Sequence, residues 1–398
     1  IFMERETVVE LMKDVYTSAE AAEYLNISIQ RLNQLVHDQK INPVKISKSI
    51  QLFYKGDLDK RKIVNYSTSI KSENKVSGFD VDNKFVRESI LYFTIQQYFK
   101  NSDKKTQKFI SDITVAYDFN FESKLENNIP LLAKLLNTTK RGFYETYGRV
   151  KSSFSSLDKD VILCKKGDNI YPKLLANTAE APLYLFLKGD ITLLNEKSVC
   201  VVGSRNANRI SMENTERIVK SLIHRNIVVN AGLARGIDTA THTAALNNNG
   251  KTIAVIGTPI NRYYPKENKN LQIEIENNGL VISQFPPCNE IFRWNFPLRN
   301  ATMSGISLAT IIMEAGEGSG ALKQADYALK QKRDVLIPQS AVNNESIAWP
   351  KKYITRGAKV FSTLRDALEI LNDNKTLENL FNQEDLEEVE NVEMDGTI

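Results

Sequence analysis

The sequence predicts an α/β protein: a Rossmann-like parallel sheet with helices on both faces, preceded by a small winged-helix domain and a helical segment. Three observations carry this. Val- and Ile-rich runs without polar alternation recur at 198–202, 227–230, 252–256, 280–283, 308–313 and 334–337, the mark of strands buried on both faces. Helical stretches at 211–225, 238–248, 267–278 and 320–331 separate them at βαβ spacing. Glycine-rich turns follow four of the strands. A chain of 398 residues is long enough for about two to three domains. No run approaches the roughly 18 consecutive apolar residues of a membrane span.

Residues 1–65 read as a helix-turn-helix or winged-helix unit. Thr17 or Ser18 caps a short helix that ends near Leu25, with Glu20 placed to complete the cap. After a tight turn at Asn26-Ile27, Ser28 caps a second helix through Leu32 and Leu35 to His37. The small side chains of Ala21 and Ala22 let the two helices approach closely. Residues 43–54 form two short strands around a polar tip, and a helix follows at 57–64. The pattern T-x-x-E-A-A-x-x-L with a basic wing resembles the winged-helix module of excisionases and MerR-type DNA-binding domains. On that resemblance Gln30, Arg31, Asn33 and Gln34 face a major groove, where such side chains make bidentate contacts. Lys45, Lys48 and Lys55 would then meet phosphates. A small helical domain used for protein contact is the alternative.

Residues 66–83 are polar, rich in Ser, Asn and Lys, and read as a linker. Residues 84–156 turn helical through Phe85, Ile90, Phe93, Tyr98, Phe109, Ile113 and the 129–136 run, with a scaffold or partner-binding role expected. The Rossmann-like domain occupies 157–372, and 373–398 is an acidic tail.

Each βα turn of such a sheet emerges at the carboxyl edge, where ligands bind. Those turns are Val202-Gly203-Ser204-Arg205, the 231–236 stretch with Gly232, Arg235 and Gly236, Ile256-Gly257-Thr258, and the 314–320 stretch with Gly318, Ser319 and Gly320. Glycines for close backbone approach, helix N-termini and two arginines suit phosphate recognition. Glycines that merely permit tight turns are the plain alternative.

These residues resemble the DNA-processing protein A family (DprA, also called Smf). Tyr171-Pro172 through Lys188-Gly189, VVGSR at 201–205, AGLARGID at 231–238, GKTIAVIG at 250–257, YYPKENKNL at 263–271, FPLRN at 296–300 and SGALKQADYA at 319–328 follow the family's order and spacing. The resemblance implies a protein that binds single-stranded DNA in a positive carboxyl-edge pocket, forms a dimer and passes the strand to a RecA-type recombinase. It implies that Arg205, Arg235 and Arg299 neutralise phosphates. Gly203, Gly232, Gly236, Gly318 and Gly320 admit the backbone, and Ser204, Asn300 and Ser319 donate hydrogen bonds. Lys323 offsets an arginine that the family carries where this chain has Ala301. Single-strand binding also wants aromatic platforms; of Tyr263, Tyr264, Phe285, Phe292, Trp294 and Phe296, the expectation rests on Phe292 and Trp294. His242 is expected to tie a loop at the start of its helix and Asp238 to cap that helix; Glu314, at a strand end, is expected either to pair structurally with one of the arginines or to serve as an acid or base. The front module and acidic tail also suit a mobile-element or anti-phage defence protein.

The formal charge of +4 averages an uneven chain. Residues 373–398 hold nine acids against Lys375 alone, a charge of −8, which leaves +12 on residues 1–372. A body this basic suggests a polyanionic partner, for which the tail would compete; a solvated Lys-rich surface reads equally well. Three widely spaced cysteines, Cys164, Cys200 and Cys288, argue for a reducing cytoplasm without a disulfide framework or zinc site. The opening residues lack the basic flank and apolar core of a secretory signal. No catalytic set, cofactor or membrane attachment is expected. Two other functions compete. One is a nucleotide sensor or nucleotide-cleaving enzyme like the LOG proteins, whose PGGxGTxxE pattern is absent here. The other is a helix-turn-helix transcription regulator.

Overall fold

Capping sets the first helix. The Thr17 hydroxyl accepts the Glu20 N–H at 3.4 Å and the Glu20 carboxylate accepts the Thr17 N–H at 2.8 Å, closing a capping box. In this computed structural model residues 15–25, 28–37, 41–46, 51–55, 58, 83–117, 119–121 and 125–372 are described. They fall into two units, within 1–75 and 76–398. The first contains β1 (Val15–Thr17), α1 (Ser18–Tyr24), α2 (Ile29–His37), β2 (Lys45–Ile46) and β3 (Gln51–Tyr54). Ser28 accepts the Arg31 N–H at 3.2 Å and so starts α2. Ala21, Ala22, Leu25, Leu32, Leu35, Phe53 and Leu58 make the core. β1, which the sequence did not announce, pairs antiparallel with β3, and β3 with β2. The turn at 26–27, the tip of the strand pair, the linker apart from Asn83, most of the helix expected at 57–64 and the acidic tail lie outside the described residues.

The second unit opens with α3 (Lys84–Tyr98), α4 (Asp103–Tyr117), α5 (Leu125–Leu135) and α6 (Lys140–Phe154). β4 (Ile162–Lys165), α7 (Lys173–Ala176) and β5 (Tyr184–Gly189) follow. The alternating part runs β6 (Ser198–Gly203), α8 (Arg209–Ile223), β7 (Val228–Ala231), α9 (Ile237–Asn247), β8 (Thr252–Ile256), α10 (Lys269–Asn278) and β9 (Leu280–Ser283). It continues with α11 (Asn295–Gly305), β10 (Ala309–Glu314), α12 (Gly320–Lys330), β11 (Asp334–Pro338), α13 (Gln339–Val342), α14 (Trp349–Ile354), β12 (Lys359–Phe361) and α15 (Leu364–Asn372). Among the described residues no helix is long and apolar enough to cross a membrane.

The nine-stranded sheet has the order β12-β11-β10-β6-β7-β8-β9-β5-β4. From β12 to β9 every pairing is parallel, as the unalternating Val and Ile runs require. The expected all-parallel sheet needs one correction: β5 joins β9 antiparallel and β4 joins β5 antiparallel, extending that edge. The helices of 84–156 are part of this construction. Phe93 of α3 and Phe154 of α6 lie 5.7 and 5.8 Å, ring to ring, from Phe186 of β5, in a core shared with Tyr184, Ile256 and Val281. On the opposite face Ile218 and Val219 of α8, Ala244 and Ala245 of α9 and Leu368 of α15 cover Val199, Val201 and Ile311. All three cysteines are free thiols.

Candidate nucleic-acid interface

The glycine-rich turns gather at the carboxyl ends of the strands in two groups. The first surrounds the turn between β7 and α9. Asp238, buried in the first turn of α9, holds it: its Oδ2 accepts the N–H groups of Gly232 (3.1 Å) and Ala234 (3.2 Å). Asp238 is therefore not the helix cap the sequence suggested. Gly236 takes that position, at φ 74°, where a Cβ would stand 2.2 Å from the Ser204 carbonyl oxygen.

Behind the turn lies Arg299 of α11, only 5% exposed. Its Nη1 donates to the Val255 carbonyl and its Nε to Asn300 Oδ1 at 3.2 Å. A Cβ on Gly232 would meet this guanidinium at 2.0 Å, so a glycine is what allows the turn to rest on the arginine. Burial pushes the Asp238 carboxyl above its ordinary pKa and Arg299 below its own, and the attraction between them opposes both shifts. Arg299 thus backs the edge from inside rather than standing on its surface.

Arg205 and Arg235 stand in front, both exposed. With Gly232, Tyr264, Phe296 and Arg299 they line a cavity of about 30 Å³, room for roughly one water. The Arg205 guanidinium carbon lies 6.0 Å from the centre of the Phe296 ring, which lies 5.4 Å from the Tyr264 ring. Arg235 pairs with Glu267 at 3.4 Å. These four side chains form a basic and aromatic ridge. The aromatics the sequence reading favoured are arranged otherwise: Phe292 and Trp294 stack on each other, 4.3 Å apart and 9° from parallel. Their loop is held by α3, where Gln97 donates to Asn289 Oδ1 at 3.1 Å. Tyr264 lies in the loop after β8 and Phe296 in the first turn of α11; each precedes a proline, as Phe285 does too, so that signal does not set them apart.

The second group is the turn after β10. Gly318 has φ 71° and the buried Ser319 hydroxyl has no partner among the described residues. Asn300, 7% exposed, donates to the Gly320 carbonyl at 3.2 Å and so ties α11 to α12. Lys323 is exposed on the first turn of α12, 3.9 Å from Asp326. Ser204 accepts the Asn206 N–H at 3.1 Å, and Gly203 packs against Ile237. The Glu314 carboxylate accepts the backbone N–H (3.2 Å) and the side-chain amide (2.8 Å) of Asn208; its partner is this asparagine and not an arginine. Between the start of α8, the 314–316 turn and the β11–α13 junction opens a crevice of about 1050 Å³.

His242 sits inside α9, fully buried, with Nδ1 2.7 Å from the Thr252 hydroxyl, so it ties α9 to β8 rather than a loop. Burial drives its pKa down to about 3, which keeps the ring neutral. Among the described residues no group of three His, Cys, Asp or Glu could hold a metal ion. In the first unit Gln30, Arg31, Asn33 and Gln34 are all exposed on α2, with Arg31 donating to Gln34 at 3.0 Å. Lys45 opens β2, and Lys48 lies outside the described residues.

The sequence profile of the DNA recombination-mediator protein A family matches residues 162–372. The DNA processing protein DprA of Streptococcus pneumoniae is 40% identical over 202 residues, 50% of this chain and 71% of that protein. The DNA processing protein DprA of Bacillus subtilis is 33% identical over 202 residues, 50% of this chain and 68% of its own length. The X-ray structure of the Streptococcus pneumoniae protein superposes with a TM-score of 0.58 at 30% identity, covering 70% of this chain and 97% of that one.

Proposed function

Because the chain belongs to the DNA recombination-mediator protein A family, we propose that it binds single-stranded DNA along the ridge at the carboxyl edge of its sheet. The observation that carries this is the placement of exposed Arg205 and Arg235 beside Tyr264 and Phe296, over the buried guanidinium of Arg299. A single strand presents phosphates along its backbone and unpaired bases with open π faces, and a basic groove with aromatic platforms answers both. Arg205 and Arg235 neutralise phosphates while Tyr264 and Phe296 stack on bases. Arg299 adds positive potential from a site that water screens poorly. Lys323 and the start of α12 continue the track, and Phe292 with Trp294 offers a further platform. The +12 carried by residues 1–372 favours the encounter.

In the same reading the protein works as a dimer in DNA uptake or recombination and passes its strand to a RecA-type recombinase. The polar face of α2 addresses duplex DNA. Anisotropy titration of a labelled single-stranded oligonucleotide tests the ridge. Arg205→Ala and Arg235→Ala should each weaken binding, and an unchanged affinity in the double variant removes the ridge from the reading.

A further inference from the structure

The strand order makes β6 and β10 neighbours whose following connections leave in opposite directions, one toward β7 and the other toward β11. Above the carboxyl ends of such a pair an open α/β sheet splits into a crevice suited to a ligand. Here that place holds the 1050 Å³ crevice, whose lining shares no residue with the small cavity between Arg205 and Arg299. Ligand pockets for small molecules span roughly 300–1,000 Å³, so the space suits one small molecule.

Its walls carry three chemistries. Arg209 and Arg217, both exposed, stand eight positions apart on the crevice side of α8. Ile210 and Leu364 leave large apolar side chains, 67% and 37% exposed, at the rim. Glu314 supplies a carboxylate whose hydrogen bonds to Asn208 both fall on Oε2. The wall is braced: the Trp349 indole donates to the Ala315 carbonyl at 2.8 Å, and the Ala348 and Trp349 N–H groups to Glu317 at 2.9 Å.

Glu314 decides the kind of ligand. Its carboxylate already answers the amide end of α8, where a bare anion would otherwise settle. A ligand that gains from this site therefore brings hydrogen-bond donors to Glu314, negative charge to the arginines and a flat apolar group to Ile210 and Leu364. We propose that the crevice binds one nucleoside monophosphate unit, with its sugar hydroxyls on Glu314, its phosphate on Arg209 and Arg217 and its base at the apolar rim. The unit comes from a free nucleotide or from the 3′ end of a strand, whose last sugar keeps its hydroxyl. This goes beyond single-strand binding on the ridge and does not depend on it.

Calorimetric titration of the full chain with AMP, GMP, CMP and UMP, their 2′-deoxy forms and inorganic phosphate tests the proposal. At least one nucleotide should bind saturably, and inorganic phosphate at equal concentration should not displace it. Arg217→Ala, on an exposed side chain, should weaken it about tenfold or more, as loss of a charged hydrogen bond does. Ala341→Trp, which narrows the crevice, should weaken it. Glu314→Gln should narrow the preference for ribose over deoxyribose. Competition by an oligonucleotide with a free 3′-hydroxyl but not by its 3′-phosphorylated form identifies a strand end as the source; no competition by either identifies a free nucleotide. Arg205→Ala should leave nucleotide binding unchanged, so the ridge and the crevice fail separately. No saturable binding at millimolar nucleotide, or binding untouched by both Arg217→Ala and Ala341→Trp, overturns the proposal.

Discussion

Removing Arg205 and Arg235 together tests the ridge by its electrostatics and not only by lost affinity. Neither side chain supports the fold. Arg205 is exposed, and the Arg235–Glu267 pair, at 3.4 Å with side chains 63% and 54% exposed, contributes roughly 0–1 kcal/mol. The unfolding midpoint of the double alanine variant should therefore match that of the unaltered chain. Each phosphate neutralised on a single strand adds about 0.7 to the slope of log affinity against log salt, so the double variant should show a slope shallower by about 1.4. Between roughly 50 and 200 mM salt the advantage of the unaltered chain should then shrink about sevenfold. Glu267→Gln supplies the opposite sign. It releases Arg235 from a competitor, and binding should tighten by about one and a half to five times. Anisotropy titrations at several salt concentrations give all three values. A fall in affinity with the slope unchanged would refute phosphate neutralisation by these arginines, as would weaker binding in Glu267→Gln.

Tyr264→Ala should cost roughly 1–3 kcal/mol of single-strand affinity and leave the salt slope intact, because stacking carries no net charge; a changed slope in the same titration contradicts the stacking role. Gly232→Ala drives a Cβ to within 2.0 Å of the buried Arg299 guanidinium. Displacing that charge from Val255 and Asp238 should lower stability by roughly 3–5 kcal/mol, read as a shift of the urea midpoint. His242, with its pKa at about 3 in the fold against an ordinary 6.5, stays neutral while the unfolded chain takes up a proton below pH 6.5. Stability should thus fall as the pH falls, by about 2 kcal/mol at pH 5, and His242→Gln should remove this component from urea titrations across that range.

The strands β6 to β11 were legible because burial on both faces demands unbroken Val and Ile, and few other elements carry that pattern. The antiparallel pair β4 and β5 escaped notice because runs as short as ILCK and YLFLKG show no period. α11 was hidden for a different reason. Its sequence NFPLRNATMSG looks like a polar loop, yet Arg299, Asn300, Thr302 and Ser304 are buried. Three of them find partners elsewhere in the chain: Arg299 donates to Val255, Asn300 to Gly320 and Thr302 to Gln284. Hydrophobic periodicity cannot show a helix whose burial rests on tertiary hydrogen bonds. Likewise Phe93 and Phe154 marked an apolar face on 84–156 without showing that it would meet Phe186.

The same limit separates the two arginines that the motifs made look alike. Arg205 sits on a turn and faces solvent, whereas Arg299 sits on the helix beneath the neighbouring turn, its guanidinium packed against Gly232. That arrangement also occupies two of the turn's amides: the N–H groups of Gly232 and Ala234 are bound to Asp238. A phosphate on this turn therefore cannot use those two N–H groups and leans on the side chains of Arg205 and Arg235. Long exposed arginines follow a phosphate through a range of positions, whereas a backbone nest fixes one geometry. The ridge is accordingly suited to any stretch of a flexible strand, and its affinity should not depend on where the strand's ends lie. Selection of a single nucleotide, by contrast, needs acceptors and donors at fixed places. In this chain a fixed acceptor of that kind lies across the Ser204 turn, where Asn208 holds Glu314.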